Sequence, residues 1–257
     1  MNLAAAIAAP ESTILVRADA HALYPPDFLR HVVTAMGEHG ATSVVVPMLN
    51  LGREGLQRAI AAAQSSRFGN GGAAHRTGGV SGWVDHGHHA AFDRAFFRRI
   101  GGYDPAFTHN EDAEFDHRAR AAGGRVWMCG NAAVTYFPRR TLAALARQYA
   151  KHGNGRARTL IKHRLRPRPR QMAPVAALLG NSAALALSPA LPALLLVPAA
   201  YGALCLAWGA GTAWKGRDPW LLFSGPAAAT MHHAWAFGFL RRLATAVVPR
   251  SPRERHD

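Results

Sequence analysis

The stretch ILVRADAHALYPPDFL, residues Ile14–Leu29, decides how this chain is read. It begins inside Ser12–Arg17, a β-branched run with the composition of a short strand. A second such run, Ser43–Pro47, follows Pro26–Met36, which suits a helix. Strand, connection, helix and strand in that order make an α/β unit. In such folds a carboxylate just past a strand's C-terminal end projects into the crevice where ligands bind. Asp19 stands there, two residues after Arg17 and two before His21. That spacing lets Asp19 and His21 bracket a hard divalent cation, Mg²⁺ or Mn²⁺, of which Mn²⁺ tolerates imidazole better. Taken alone, the motif also reads as a surface aspartate beside a solvated histidine, the default for so short a pattern.

Three further constellations lie downstream. Phe92–Ile100 is expected to be helical and to stop at Gly101-Gly102, and Glu111–Ala122 to be a second helix ended by Gly123-Gly124. Arg125–Met128 and Ala133–Phe137 read as short strands. His109-Asn-Glu-Asp-Ala-Glu114 opens the second helix, where carboxylates complement the helix dipole, so capping alone accounts for them. The sharper reading makes Asp112, with Glu111 beside it, the base that takes a proton from an attacking hydroxyl. Trp83-Val-Asp85-His-Gly87 follows a loop, Phe68–Gly82, that contains six glycines and is expected to close over a ligand. A buried structural aspartate is the plain reading of Asp85. Arg147-Gln148-Tyr149-Ala-Lys151-His152-Gly153 is cationic and aromatic, suited either to a diphosphate or to lipid headgroups. Histidines 86, 88 and 89 lack a matched second pair of ligands, which argues against a zinc-type cluster.

The chain has 257 residues, with 30 Lys and Arg against 15 Asp and Glu, a formal charge of +15. Such an excess implies an anionic partner. From Arg139 to Arg170 there are eleven Lys and Arg and no acidic residue, and the charge-free stretch Ala173–Ala213 follows almost at once. A basic run abutting an apolar one reads as a cytoplasmic juxtamembrane region facing anionic headgroups. No zinc-ligand pairing or recognition-helix pattern accompanies the charge, so nucleic acid is not the expected partner. Cys129 and Cys205 are far apart and suit a reducing compartment. The domain reading is therefore 1–140 as an α/β unit, 141–172 as a basic amphipathic helix and linker, 173–242 as two to three membrane segments, and 243–257 as a basic tail. Trp220–Leu240, which contains His232-His233, is the weakest of those segments.

Taken in order, four stretches resemble the inverting family 2 glycosyltransferases of the GT-A fold, especially the succinoglycan ExoA-type exopolysaccharide enzymes. They are Ile14–Leu29, Trp83–Phe107, His109–Met128 and Leu145–Arg164. The resemblance implies a partial GT-A domain followed by C-terminal transmembrane helices, at the inner (plasma) membrane with the catalytic part cytoplasmic. It implies a nucleotide-diphospho-sugar donor, a lipid-linked saccharide acceptor, a divalent metal, and single displacement with inversion. Arg17 and Asp19 fall at the donor diphosphate and metal motif, with His21 in its second acidic position. Asp112 becomes the general base with Glu111 beside it. Trp83, Asp85 and Gly87 fall in the acceptor-side segment. Gln148, Lys151 and His152 match a loose form of the family's Gln-x-x-Arg-Trp motif, with Lys-His replacing Arg-Trp.

Members of that family begin with a strand–loop–helix unit that holds uracil and ribose. Here Met1–Ala9 reads as the helix just before the metal-motif strand, so about two βα units are expected to be missing. A misplaced start, a fragment or a second polypeptide would each explain this. The expected consequences are an open sheet edge, poor independent folding and no turnover by this chain alone. The rival functional reading is a catalytically inactive membrane-associated remnant, or a subunit that needs a partner for nucleotide binding.

Overall fold

The computed structural model describes residues 1–20, 22–72 and 80–247. His21, the expected loop closure at residues 73–79 and most of the basic tail lie outside the described residues.

The chain runs α1 (Asn2–Ile7), β1 (Ile14–Val16), β2 (Ala22–Leu23), α2 (Phe28–His39), β3 (Ser43–Val46) and β4 (Met48–Asn50). Next come α3 (Gly55–Ser65), the short α4 (Arg67–Asn70), β5 (Gly82–Trp83), β6 (His88–Asp93), α5 (Arg94–Arg99) and α6 (Glu111–Ala121). It ends with β7 (Val126–Met128), β8 (Val134–Tyr136), α7 (Leu142–Lys162), α8 (Pro169–Leu187), α9 (Leu196–Gly216) and α10 (Ser224–Val247).

Five strands form a mixed sheet in the order β1-β6-β3-β7-β5, and three form a small sheet, β2-β8-β4. β3 is buried along its whole length because sheet neighbours flank it and apolar layers cover both faces. Phe28, Val32 and Met36 of α2 lie on one face, with Val126 and Met128 beside Val45 on the other. A strand covered on both faces reads as an unbroken Val run rather than an alternation. β1 stands at one edge of the sheet, antiparallel to β6.

β6 corrects the expected helix over Phe92–Ile100. Phe92 and Asp93 belong to the strand, which pairs antiparallel with both β1 and β3. Helix α5 starts only at Arg94, where the Asp93 side chain accepts from the Phe96 N–H at 2.6 Å as an N-cap. The Arg94 guanidinium is buried and donates to the carbonyl oxygens of Ala5, Ala8, Ala9 and Ser12. That fork satisfies carbonyls at the C-terminal end of α1 and ties the N-terminal segment under β1.

α7 joins the α/β layers to the C-terminal helices. Its stripe Leu145, Tyr149, Gly153, Ala157 and Leu160 is buried at helical spacing. Gly153 lies against the Trp235 backbone of α10, and Gly238 of α10 against that of Ala150, so neither position has room for a Cβ. α10 also packs Ala227, Ala228 and Met231 onto Ile60 and Ala63 of α3. The third apolar segment is thus seated on the α/β part. Among the described residues, Pro192–Gly216 is the one stretch long and apolar enough to cross a membrane, and it is 11% buried. Two to three spans are expected over 173–242, and that stretch is the candidate among them that length and composition support. α8 begins with Pro169-Arg170-Gln171 and carries Asn181, bonded to His233 of α10 at 3.2 Å.

Candidate active site

β1 and α6 bring the two acidic motifs together. Past the end of β1, Arg17 Nε donates to Asp19 Oδ1 at 2.9 Å, and its Nη1 lies 3.9 Å from Glu111 Oε1. Arg17 therefore bridges motifs that stand almost a hundred residues apart in sequence. Tyr24 turns its hydroxyl onto the Asp19 N–H, which fixes the chain beyond the strand. α6 starts from Asn110, a non-glycine residue with φ of 65°. Asparagine tolerates this region better than most residues, and Asn110 Nδ2 anchors on Thr159 Oγ1 of α7 at 2.9 Å. The turn directs Glu111 and Asp112 into a cavity of about 1040 Å³ that Arg17 and Asp19 also line. Asp112 Oδ1 accepts from the Ala113 N–H at 2.7 Å.

Behind α6, Glu114 locks this arrangement to α7. Its buried carboxylate accepts from Arg118 Nε (2.9 Å), Lys162 Nζ (2.5 Å) and His163 Nε2 (3.0 Å). Burial alone would raise its pKa; the three donors overcome that and hold it down to about 2.

The cavity's second wall is the polar face of α7. Gln148, His152 and Arg156 recur at i, i+4 and i+8, and Arg147 and Lys151 form the neighbouring row. Gln148 Nε2 donates to the Tyr136 hydroxyl at 3.1 Å, while its Oε1 is buried with no partner among the described residues. His86 and His88 complete a third wall. Burial, then the Arg17 charge, lowers the His88 pKa to about 4, so its ring is neutral at pH 7, with Nε2 3.5 Å from Asp19 Oδ2. On the opposite face of β6, His89 is fully buried and joins Asp116 Oδ1 (2.8 Å) to the Tyr103 hydroxyl (2.5 Å). Tyr103 in turn lies within electrostatic reach of Arg17. A continuous polar chain thus runs from the core to the cavity through Asp116, His89, Tyr103, Arg17 and Asp19.

Of the residues singled out in sequence, Arg17, Asp19, Glu111, Asp112, Gln148, Lys151 and His152 share this one cavity. Trp83, Asp85 and Gly87 are not among its lining residues. Trp83 sits beneath the Arg125 guanidinium, 3.7 Å from its ring centroid, and meets Trp127 edge-on. Asp85 pairs with Arg168 (2.7 Å) and Arg120 (3.4 Å), and the Arg168 hydrogen bond is the main cause that lowers its pKa. Gly87 packs on Val45 too closely for a Cβ, and its N–H faces Asp116. His86, between Asp85 and Gly87, and His88, just after Gly87, reach the cavity instead. Strand alternation is the signal that separates His86 and His88 from Gly87 and His89. Helical spacing along α7 is the signal that adds Arg156.

Among the described residues, no three His, Cys, Asp or Glu side chains converge as a metal cage. The described donor chemistry is one carboxylate, Asp19, with the neutral His88 imidazole beside it. That sparse set fits a hard cation that takes one or two carboxylates and completes its shell with substrate phosphates and water.

The glycosyl transferase family group 2 model matches residues 14–243. The chain is also 42% identical, over 245 residues, to the succinoglycan biosynthesis protein ExoA of Rhizobium meliloti (strain 1021). That similarity covers 95% of this chain and 73% of the relative. The cavity in which Arg17 joins Asp19 to Glu111 therefore belongs to a glycosyltransferase enzyme, and the chain is a member of glycosyl transferase family group 2.

Proposed function

We propose that this enzyme transfers a sugar from a nucleotide-diphospho-sugar to a lipid-linked saccharide, with inversion, in exopolysaccharide or cell-envelope polysaccharide assembly. The observation that carries the reading is the Arg17 bridge between Asp19 and Glu111 at the mouth of a cavity walled by the cations of α7. An acidic pair beside a cationic wall suits a reaction in which a hydroxyl loses a proton while a diphosphate leaves.

Asp112 takes the proton from the acceptor hydroxyl, with Glu111 beside it. The acceptor oxygen bonds to the anomeric carbon as that carbon's bond to the diphosphate oxygen breaks, and the electron pair leaves with the nucleoside diphosphate. Arg17, Lys151, Gln148 and His152 bind the departing diphosphate. Asp19 and His21 are the proposed ligands of a divalent cation, which when bound neutralises charge on the leaving group. Trp83, Asp85 and Gly87 act on the acceptor side indirectly, by fixing the segment that presents His86 and His88. The domain division at 140, 172 and 242 belongs to the same reading. So does the placement of the catalytic part on the cytoplasmic side of the plasma membrane. Pro192–Gly216 supports membrane attachment by its length and hydropathy, and the identity to a succinoglycan biosynthesis protein supports the pathway.

The substitution Asp112→Asn, made in a full-length version of the enzyme, tests the base. It removes the proton acceptor while keeping the side-chain shape, so transfer should fall by about 100-fold or more with donor affinity nearly unchanged. Near-normal turnover in that variant would remove Asp112 from the mechanism.

A further inference from the structure

The cavity continues past the acidic pair to the helices that carry the chain's apolar surface. Ala173, Pro174 and Ala177 of α8, Tyr201 of α9 and Trp235 of α10 line it together with Asp112. Arg156 of α7 and Arg170 of α8 line the same cavity. Neither is in a salt bridge with any described carboxylate, whereas their neighbour Arg168 is paired with Asp85. Arg156 Nε is buried with no hydrogen-bond partner among the described residues. Arg170 has one long bond, 3.4 Å to the carbonyl oxygen of Gly71. Burial first, then the charges of Arg168 and Arg170, push the Arg156 pKa below its ordinary value. The half-buried Arg156 guanidinium, with no carboxylate paired to it, is unfavourable unless an anion completes it, and the exposed Arg170 beside it adds a second positive charge. The field at His86 carries contributions from Arg156 and Arg170 and, with opposite sign, from Asp116 and Asp112.

We propose that Arg156 and Arg170 form a second anion subsite, distinct from the Arg17–Lys151 end, which holds the phosphate head of a lipid-linked acceptor. The apolar tail leaves along α8 and α9, where Leu179, Leu185, Leu196 and Leu204 are exposed. A ligand with an anionic head and a hydrocarbon tail matches both parts of this surface; a free nucleotide matches only the first. The subsite would fix the distance between the acceptor's phosphate and its attacking hydroxyl. The inference rests on the lipid-linked acceptor named above.

Binding to the full chain in detergent micelles tests it without requiring turnover. Four probes are used: farnesyl diphosphate, farnesol, inorganic pyrophosphate and uridine diphosphate. The wild type should bind farnesyl diphosphate at least about tenfold more tightly than farnesol or pyrophosphate. The double substitution Arg156→Gln with Arg170→Gln should weaken farnesyl diphosphate by about tenfold or more, the scale of a lost charge-assisted hydrogen bond, and leave uridine diphosphate unchanged. Arg156→Lys with Arg170→Lys keeps the charges and should retain most of the affinity, which separates lost charge from lost folding. An equal loss of uridine diphosphate would assign these arginines to the donor and overturn the proposal. Competition by phosphatidylglycerol vesicles as effective as by farnesyl diphosphate would reduce the site to general membrane contact and also overturn it. Because binding is read directly, a chain that transfers no sugar still reports on this subsite. Failure of the glycosyl-transfer reading is thereby distinguishable from failure of this one.

Discussion

Arg17 is the residue on which the site's geometry converges. It pairs with Asp19 and faces Glu111, and the buried line Asp116–His89–Tyr103 supports it from behind. Burial disfavours its charge, yet Tyr103 and Asp19 more than compensate and raise its pKa, so it remains a cation. Tyr103 is therefore a positioning residue that reaches the cavity only through Arg17. The substitution Tyr103→Phe deletes one hydroxyl, leaves His89 Nδ1 without its partner, and should cost about 1–3 kcal/mol of stability. Since Tyr103 also acts electrostatically on Arg17, the donor KM should rise severalfold more than kcat falls. Equal changes in both, or a change in melting temperature alone, would reduce Tyr103 to a structural role. This line was not legible in the sequence. His89 and Asp116 stand 27 positions apart, and their pairing exists only once α6 covers β6.

At the scale of elements, α7 does two jobs on two faces. Its small and apolar residues seat it on α10 and α3, while its cations and Gln148 line the cavity. The two faces follow from 3.6-residue periodicity, so the helix over Thr141–Lys162 was readable in advance, as were β1, α2, β3, α6, β7 and β8. What the periodicity did not reveal was the partner. The apolar face of a basic amphipathic helix beside an apolar stretch suits either the domain or the membrane surface, and here another helix of the same chain covers it. β6 was misread for a related reason. His88-His89-Ala-Ala looks neither apolar nor alternating until strands on both sides bury it. α3 was not anticipated because its Ala-rich face becomes a core face only against α7 and α10.

The close joint between α7 and the turn before α6 is Gly155. A Cβ there would lie 2.6 Å from the His109 carbonyl oxygen and 2.8 Å from Asn110 Cβ, against the turn that aims Glu111 and Asp112. The substitution Gly155→Ala should push that turn away and lower kcat about 10- to 100-fold, the scale of an ångström-level misplacement. Gly180→Ala on α8, where a Cβ meets nothing within 4 Å, should leave kcat unchanged. Wild-type rates for Gly155→Ala would show that the α6–α7 contact does not set the position of the acidic pair.

At the scale of the whole molecule, the +15 charge has two destinations. Some of it stays on the surface, and some converges on a single cavity shared by the α/β layers and the C-terminal helices. The acidic motifs were legible because each sits at a predictable structural boundary, Asp19 past a strand end and Asp112 at a helix start. Which arginines join them was not legible, since sequence alone does not separate headgroup-facing cations from cavity-facing ones in the run Arg139–Arg170. The central claim is that one displacement occurs in this cavity, with Asp112 acting on the acceptor and no covalent sugar on the chain. The most direct test is the anomeric configuration of the newly formed linkage, read by NMR on product made in membranes by a full-length version of the enzyme. An inverted configuration relative to the nucleotide-sugar is the predicted result. Retention of configuration, or a sugar covalently attached to the protein during turnover, would contradict it.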